Sequence, residues 1–358
     1  DESASTNEEW KAKIMADFDQ GKEPDVLFYF TGADADSIVR SGKVVSISDI
    51  RKEYPDYASN MKDSMMPVSA VNGRQYAVPV NGYWEGLFVN KKVLAACGVS
   101  VPGVDYQWRQ FLADCQTIRE HGYTPIACSL GEIPHYWFEF CILNQGSISD
   151  HLRLPSDVAD ETGKKWVSGL TDIKDLYERG FFPEDTLTAT DGETNLLMIE
   201  HKAAFMIDGS WKVGWFQSNA ENIDDFAVAY VPGKSERSPT EVIGGFSMGY
   251  YITKKAWDNP AKRKACVDFI SAMTTDEVVS SFGELSMTAL KNGTMPPQQT
   301  DPLVLSVMDM NKNCTGPVGA VQDLLSASAR ASLFANVPAI VTGAVTAEDA
   351  VRDCLSMK

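Results

Sequence analysis

Basic residues are scarce in this chain. Its 358 residues hold 32 Lys and Arg against 49 Asp and Glu, a formal net charge of −17. Phosphate backbones and anionic lipid heads repel such a surface, which argues against nucleic-acid binding and against a polybasic membrane patch. No apolar run reaches the ~18 residues that mark a membrane-spanning helix. Only four histidines occur, and none forms the H-E-x-x-H pair of a zinc protease. G-x-G-x-x-G and Walker loops are missing, so a bound dinucleotide or ATP has no support. The cysteines Cys97, Cys115, Cys128, Cys141, Cys266, Cys314 and Cys354 form no C-x-x-C, which removes a zinc ribbon and a thioredoxin-like site. They read as small buried hydrophobes, with one or two disulfides left open. The chain begins at Asp1 with no Met and no apolar signal core, as expected of a mature or trimmed product.

What is present is ordinary globular material, 44% hydrophobic and 23% charged, at a length that suits two domains. Helical and strand periodicities alternate along it. Trp10, Ile14 and Phe18 form one stripe over Glu8–Gln20, and Gly21 can stop that helix. Val26–Phe30 is a continuous apolar run, as in a parallel strand buried on both faces. Further strands are expected at Gly86–Val89, Pro125–Leu130, Ala203–Ile207, Phe226–Val231 and Gly249–Thr253. Helices are expected at Lys91–Ala96, Gln107–His121, Lys165–Arg179 and Thr194–His201. Asn259-Pro260 opens another helix, reaching about Met273, and Thr346-x-x-Asp349 begins the last. The pattern predicts an α/β fold with mostly parallel sheets. Two domains without an obvious linker predict a chain that crosses between them more than once.

Two enzyme readings are open to test. Gly245-Phe246-Ser247-Met248-Gly249 fits the G-x-S-x-G elbow of hydrolases, but that motif needs a helix after the serine and a histidine later in the chain. Here a strand follows, and His121, His135, His151 and His201 all precede Ser247. A glycosidase needs two carboxylates facing each other across a sugar. Glu85, Glu132 and Asp208 sit beside aromatics, yet sequence spacing does not make them face each other.

Four stretches mix aromatic rings with hydrogen-bonding groups: Tyr29-Phe30-Thr31-Gly32, Asn81–Glu85, Glu132–Trp137 and Asp208–Trp211. Some end predicted strands, where open α/β sheets bind ligands. Aromatic faces stack on sugar C–H faces, and Asp, Glu, Asn and His suit hydroxyls. Packing in the core is the competing reading for each aromatic, and Trp108, on the buried stripe of its helix, is assigned to the core.

Several ordered motifs resemble the extracellular solute-binding proteins of sugar ABC importers, the family that includes maltose-binding protein. They are Gly21–Val26, Gly42–Ile50, Tyr76–Pro79, Leu87–Lys91 with Val89 in place of a tyrosine, and Trp108–Phe111. His201–Trp211 follows, with His201 in place of a glycine, and then Ile243–Gly249. The resemblance spans nearly the whole chain. It implies a two-lobed α/β periplasmic-binding-protein-like fold, each lobe a parallel-rich sheet flanked by helices. The N-terminal lobe would comprise 1–82 and 247–298, and the C-terminal lobe 83–246 and 299–358. Three hinge crossings would lie near Asn81–Gly86, Ile243–Ser247 and Met295–Pro302. The family's first strand, helix and second strand would precede Glu8–Gln20, outside this sequence.

The function implied is binding of a carbohydrate, an oligosaccharide above all, in the interlobe cleft, and its delivery to a membrane permease. Neither chemistry nor a cofactor is implied. The home would be extracytoplasmic, either periplasmic or lipid-anchored at the outer face of the cytoplasmic membrane, and the protein a monomer. Ligand-binding positions would be Tyr29, Phe30, Thr31, Asp34, Tyr83, Trp84, Glu85, Glu132, His135, Tyr136, Trp137, Asp208, Trp211 and Phe246. A binder of a polyamine, using Asp34, Glu85 and Asp208, or of a metal ion stays open. So do a secreted hydrolase acting on glycosides or esters, and an adhesin or scaffold without a small ligand.

Overall fold

Continuous apolar runs build the sheets, and a computed structural model of the chain describes residues 7–234, 236–283, 285–293 and 300–357. Among these the strands are β1 Val26–Phe30, β2 Tyr83–Asn90, β3 Thr124–Ile126, β4 Ala203–Gly209, β5 Phe226–Ala229, β6 Glu241–Gly245, β7 Met248–Ile252 and β8 Gly316–Val318. Two compact units result. The smaller comprises Asp1–Gly82 and Phe246–Pro297, the larger Tyr83–Gly245 and Gln298–Lys358. Most of the expected crossing near Met295–Pro302 lies outside the described residues.

In the smaller unit the helix Asn7–Asp19 turns Ile14 and Phe18 inward, with Trp10 half-buried beside them. Gly21 adopts a left-handed backbone (φ +68°) and ends it, as its lack of a Cβ allows. β1 runs antiparallel to β7, with Val26 opposite Ile252 and Phe30 opposite Met248. Its side chains alternate between two cores. Leu27 and Tyr29 join Ile14, Phe18, Ile38 and Val39, while Val26 and Phe28 pack on the cluster that holds Ile50, Trp257 and Ile270. Both faces are covered, which is why the run is apolar throughout. The helix Pro260–Met273 starts as the sequence indicates: the Asn259 side chain accepts from the Ala261 N–H, and proline fills the first turn.

In the larger unit the strand order is β3-β4-β2-β6-β8, with β5 also pairing β2. β2 is central, and all eight of its residues are buried. It runs antiparallel to β4, β5 and β6, whereas β3–β4 and β6–β8 are parallel. The α/β class therefore holds, but the sheets are mixed rather than parallel-rich. The physical reason is that an apolar run reports burial of both faces, not the direction of the neighbouring strand.

Helices cover this sheet along the expected stripes. Trp108–Glu120 buries Trp108, Phe111, Cys115 and Ile118. Glu161–Glu178 buries Trp166, Leu170, Ile173 and Leu176. Gly169 lies so close to the helix His135–Leu143 that an added Cβ would sit 2.9 Å from the Ile142 nitrogen. All seven cysteines are free, six of them buried, in line with their reading as small hydrophobes. Ser247, the centre of the elbow-like motif, joins two strands, β6 and β7, and its carbonyl accepts from the Thr31 N–H. No helix follows it, so the nucleophile-elbow geometry is not formed.

His201 shows why the motif it interrupts carries glycine. Its φ is +55°, the left-handed region that costs a side-chain-bearing residue roughly 1–2 kcal/mol. There it closes the helix Asp191–Ile199, with the Lys202 N–H donating to the Leu197 carbonyl at 2.8 Å. The imidazole lies parallel to Phe226 at 5.7 Å, and its Nδ1 is 3.1 Å from the Asn90 amide nitrogen. These contacts offset the backbone cost.

Candidate functional site

The start of β2, the end of its antiparallel neighbour β4 and the start of one helix assemble the principal constellation, all within the larger unit. β2 supplies Tyr83 and Glu85, and β4 ends in Asp208 and Gly209, with Glu85 opposite Gly209 and Gly86 opposite Asp208. Trp211 follows at the start of the helix Lys212–Asn219. Its ring folds back over Gly209, where a Cβ would stand 2.2 Å from a ring carbon. Tyr83 lies 6.2 Å from that ring and Tyr136 6.4 Å, both tilted by about 40°. Trp211 stays 53% exposed while both tyrosines are buried. A large aromatic held in place yet left open to solvent is an apolar platform for a ligand face.

Carboxylates stand beside the platform. Glu85 is buried, and its Oε2 has no hydrogen-bond partner. Burial pushes its pKa well above the ordinary carboxylate value, and Glu139, Asp208 and Asp323 push it further. Asp208 is raised to about 6, chiefly by burial, with Lys212 and the Gly209 N–H opposing. The Lys212 ammonium is 3.2 Å from Asp208 and 3.4 Å from Asp191. Burial, followed by the charges of Asp208, Glu85 and Asp191, pushes the Tyr136 phenol up. Tyr83 is raised for similar reasons. Glu139 is satisfied, because it accepts from the Val321 and Gln322 N–H groups and pairs with His151 Nε2, each at 2.8 Å. Buried carboxylates with displaced titrations are a hallmark of binding sites.

Other sequence-derived positions fall elsewhere. His135 is half-buried, its ring 4.1 Å from Tyr136 at the platform's edge. Glu132 is exposed and accepts from the Asp191 N–H at 2.6 Å, securing a helix start. Trp137 is a core residue. It stacks on Phe111 at 5.8 Å, meets Trp108 and Phe182 edge-on, and is 1% exposed. Trp84 is likewise buried, stacked on Phe88 at 6.1 Å. In the smaller unit Tyr29 packs in the core, 5.1 Å from Trp10. All three side chains pack within the protein.

Phe30 is half-buried, with Lys11 4.3 Å above its ring. Asp34 pairs with Lys11 at 3.0 Å. The Thr31 hydroxyl donates to the Phe246 carbonyl, and the Phe246 ring packs on the smaller unit's second core.

The sequence reading missed Lys212, Asp191 and Asn195. Lys212 opens the helix that follows β4 and reaches back to Asp208. Asn195 donates to Asp191 Oδ2 at 2.9 Å. Neither it nor Asp191 lies in an aromatic stretch, and no local pattern announces them.

Among curated proteins none matches the chain. Of solved structures, a chitin oligosaccharide binding protein superposes with a TM-score of 0.82 at 21% identity, covering 97% of this chain and 85% of that one. The maltose/maltodextrin-binding domain from Bdellovibrio bacteriovorus, bound to maltotriose, gives 0.72 at 17% identity, with coverages of 98% and 88%. A solute-binding protein in complex with raffinose gives 0.72 at 18%, with coverages of 97% and 88%. Likeness at these identities shows the two-lobed solute-binding fold. The family model for bacterial extracellular solute-binding proteins matches residues 2–289, and the chain belongs to that family.

Proposed function

We propose that the protein captures a carbohydrate outside the cytoplasmic membrane and delivers it to the permease of an ABC importer. The observation that carries this is Trp211, half exposed and flanked by Tyr83 and Tyr136 beside buried acids. A sugar offers what the platform needs, an apolar C–H face with polar hydroxyls at its rim. The structural relatives named above, with chitin oligosaccharide, maltotriose and raffinose as their ligands, support the reading. A monomer, periplasmic or lipid-anchored, belongs to the same proposal.

Thermal-shift screening against mono- and oligosaccharides, polyamines and metal ions tests it. A ligand that binds only the folded state raises the melting temperature by mass action, by about 2.7 kcal/mol of stability at a hundred-fold excess over Kd. A rise with oligosaccharides is expected. A flat response to every sugar would sink the proposal, and turnover of a chromogenic glycoside or ester would replace it with a hydrolase.

Gly209 offers a finer test. Gly209→Ala places a methyl where the Trp211 ring lies, and a ring already half exposed swings outward. Calorimetric titration is expected to show affinity reduced by about 1 kcal/mol, the worth of an aromatic contact. Unfolding should move by less than about 0.5 kcal/mol. Unchanged affinity would remove the ring from the site.

A further inference from the structure

The acids around the platform are unequally provided for. Asp208 has Lys212 and the Gly209 N–H. Glu139 has two backbone N–H groups and His151. Asp191 shares Lys212 and holds Asn195. Glu85 is different: its Oε2 is buried without a partner, and the groups acting on it are the acids Glu139, Asp208 and Asp323. Lys212 is the cation within salt-bridge distance of Asp208 and Asp191, and no salt bridge among the described residues involves Glu85.

A buried carboxyl without a counter-charge costs free energy unless something supplies one. Glu85 follows Tyr83 by two residues on β2, on the same face of the strand, and stands opposite Gly209, over which the Trp211 ring lies. Aromatic faces beside a carboxylate form the arrangement that holds an ammonium group, since ring quadrupole and carboxylate attract the same charge.

The geometry points to a ligand that is an amino sugar, its free ammonium meeting Glu85 while its ring stacks on Trp211 between Tyr83 and Tyr136. This rests on the carbohydrate reading above and narrows it. A neutral sugar hydroxyl would relieve the unpartnered oxygen without supplying Glu85 a counter-charge. The shared chemistry, an ammonium beside an apolar carbon surface, also occurs in linear polyamines, so the test separates the two.

The experiment is calorimetric titration of the whole chain with four probes. Three are β-1,4-linked disaccharides with the same skeleton, made of glucosamine, N-acetylglucosamine and glucose. The fourth is spermidine. The glucosamine disaccharide is expected to bind about ten-fold or more tightly than its acetylated and neutral counterparts, which is about 1.4 kcal/mol. Glu85→Gln is expected to bring the three sugars within about two-fold of one another.

Tighter binding of either uncharged disaccharide overturns this inference and leaves carbohydrate capture standing. Survival of the preference in Glu85→Gln overturns the role given to Glu85. Spermidine binding without any of the three sugars, or no binding by a folded protein, overturns this inference, and the wider sugar screen then decides carbohydrate capture. The ratios measured on the unaltered chain decide the charge of the ligand even where the variant does not fold.

Discussion

Alanine at Trp211 and alanine at Trp137 are expected to give opposite phenotypes. Trp211→Ala should weaken carbohydrate binding by about 1–3 kcal/mol, roughly five- to 150-fold in Kd, by removing a large aromatic contact. Its ring is 53% exposed, so thermal unfolding should change little. Trp137→Ala should lower stability by about 3–5 kcal/mol, because a fully buried indole leaves a cavity that Phe111, Trp108 and Phe182 cannot fill. If enough folded protein remains, its affinity should be near that of the parent chain. Denaturant unfolding and calorimetric titration of both variants check the pair. Loss of binding in Trp137→Ala with stability intact, or loss of stability in Trp211→Ala with binding intact, would exchange the roles assigned here.

That contrast also marks where sequence reading stops. Tyr136 and Trp137 stand side by side in His135–Leu143, a helix whose residues from Tyr136 onward are all buried. An apolar stripe gives a helix its direction, and a helix apolar all round has none. Nothing local therefore distinguishes the residue at the platform from its neighbour in the core. The same limit applies to Trp84 and Tyr29, whose strands are buried on both faces. Amphipathic elements were legible for the opposite reason. Trp10, Ile14 and Phe18, or Trp166, Leu170 and Ile173, repeat at the helical period and face the core as read.

Strand direction was lost because burial carries no sign. β1 read as a strand of a parallel sheet and pairs antiparallel with β7, with the chain returning from a distant stretch to complete the small sheet. Glu85 and Asp208, by contrast, were legible as candidates: carboxylates beside aromatics at strand ends are costly in a core, and strand ends are where such a cost serves binding. Lys212 escaped notice although it follows Trp211 directly, since a single lysine on an acidic chain reads as solvated surface.

The buried acid makes a prediction of its own about stability. Glu85→Gln is expected to stabilise the ligand-free protein at neutral pH by about 1–3 kcal/mol, the scale of a buried polar group left unpaired. The sign follows from linkage. The folded-state pKa of Glu85 lies above the unfolded value, so at intermediate pH the folded state binds more protons than the unfolded one. Its contribution is then fully present below the unfolded pKa and declines as pH rises towards the folded pKa. Glutamine does not titrate, so its advantage should be absent near pH 4 and should grow towards pH 7. Asp208, raised to about 6 from 3.8, declines over that narrower window and remains in both proteins. Urea unfolding of both proteins at pH 4, 5.5 and 7 measures the difference. A gain independent of pH would place its origin in packing, and a loss at neutral pH would show that Glu85 is ionised and paired in the folded protein. The expected outcome couples the two roles of this residue: the group that destabilises the empty protein is the one left without a partner for the ligand to supply, and removing it trades binding selectivity for stability.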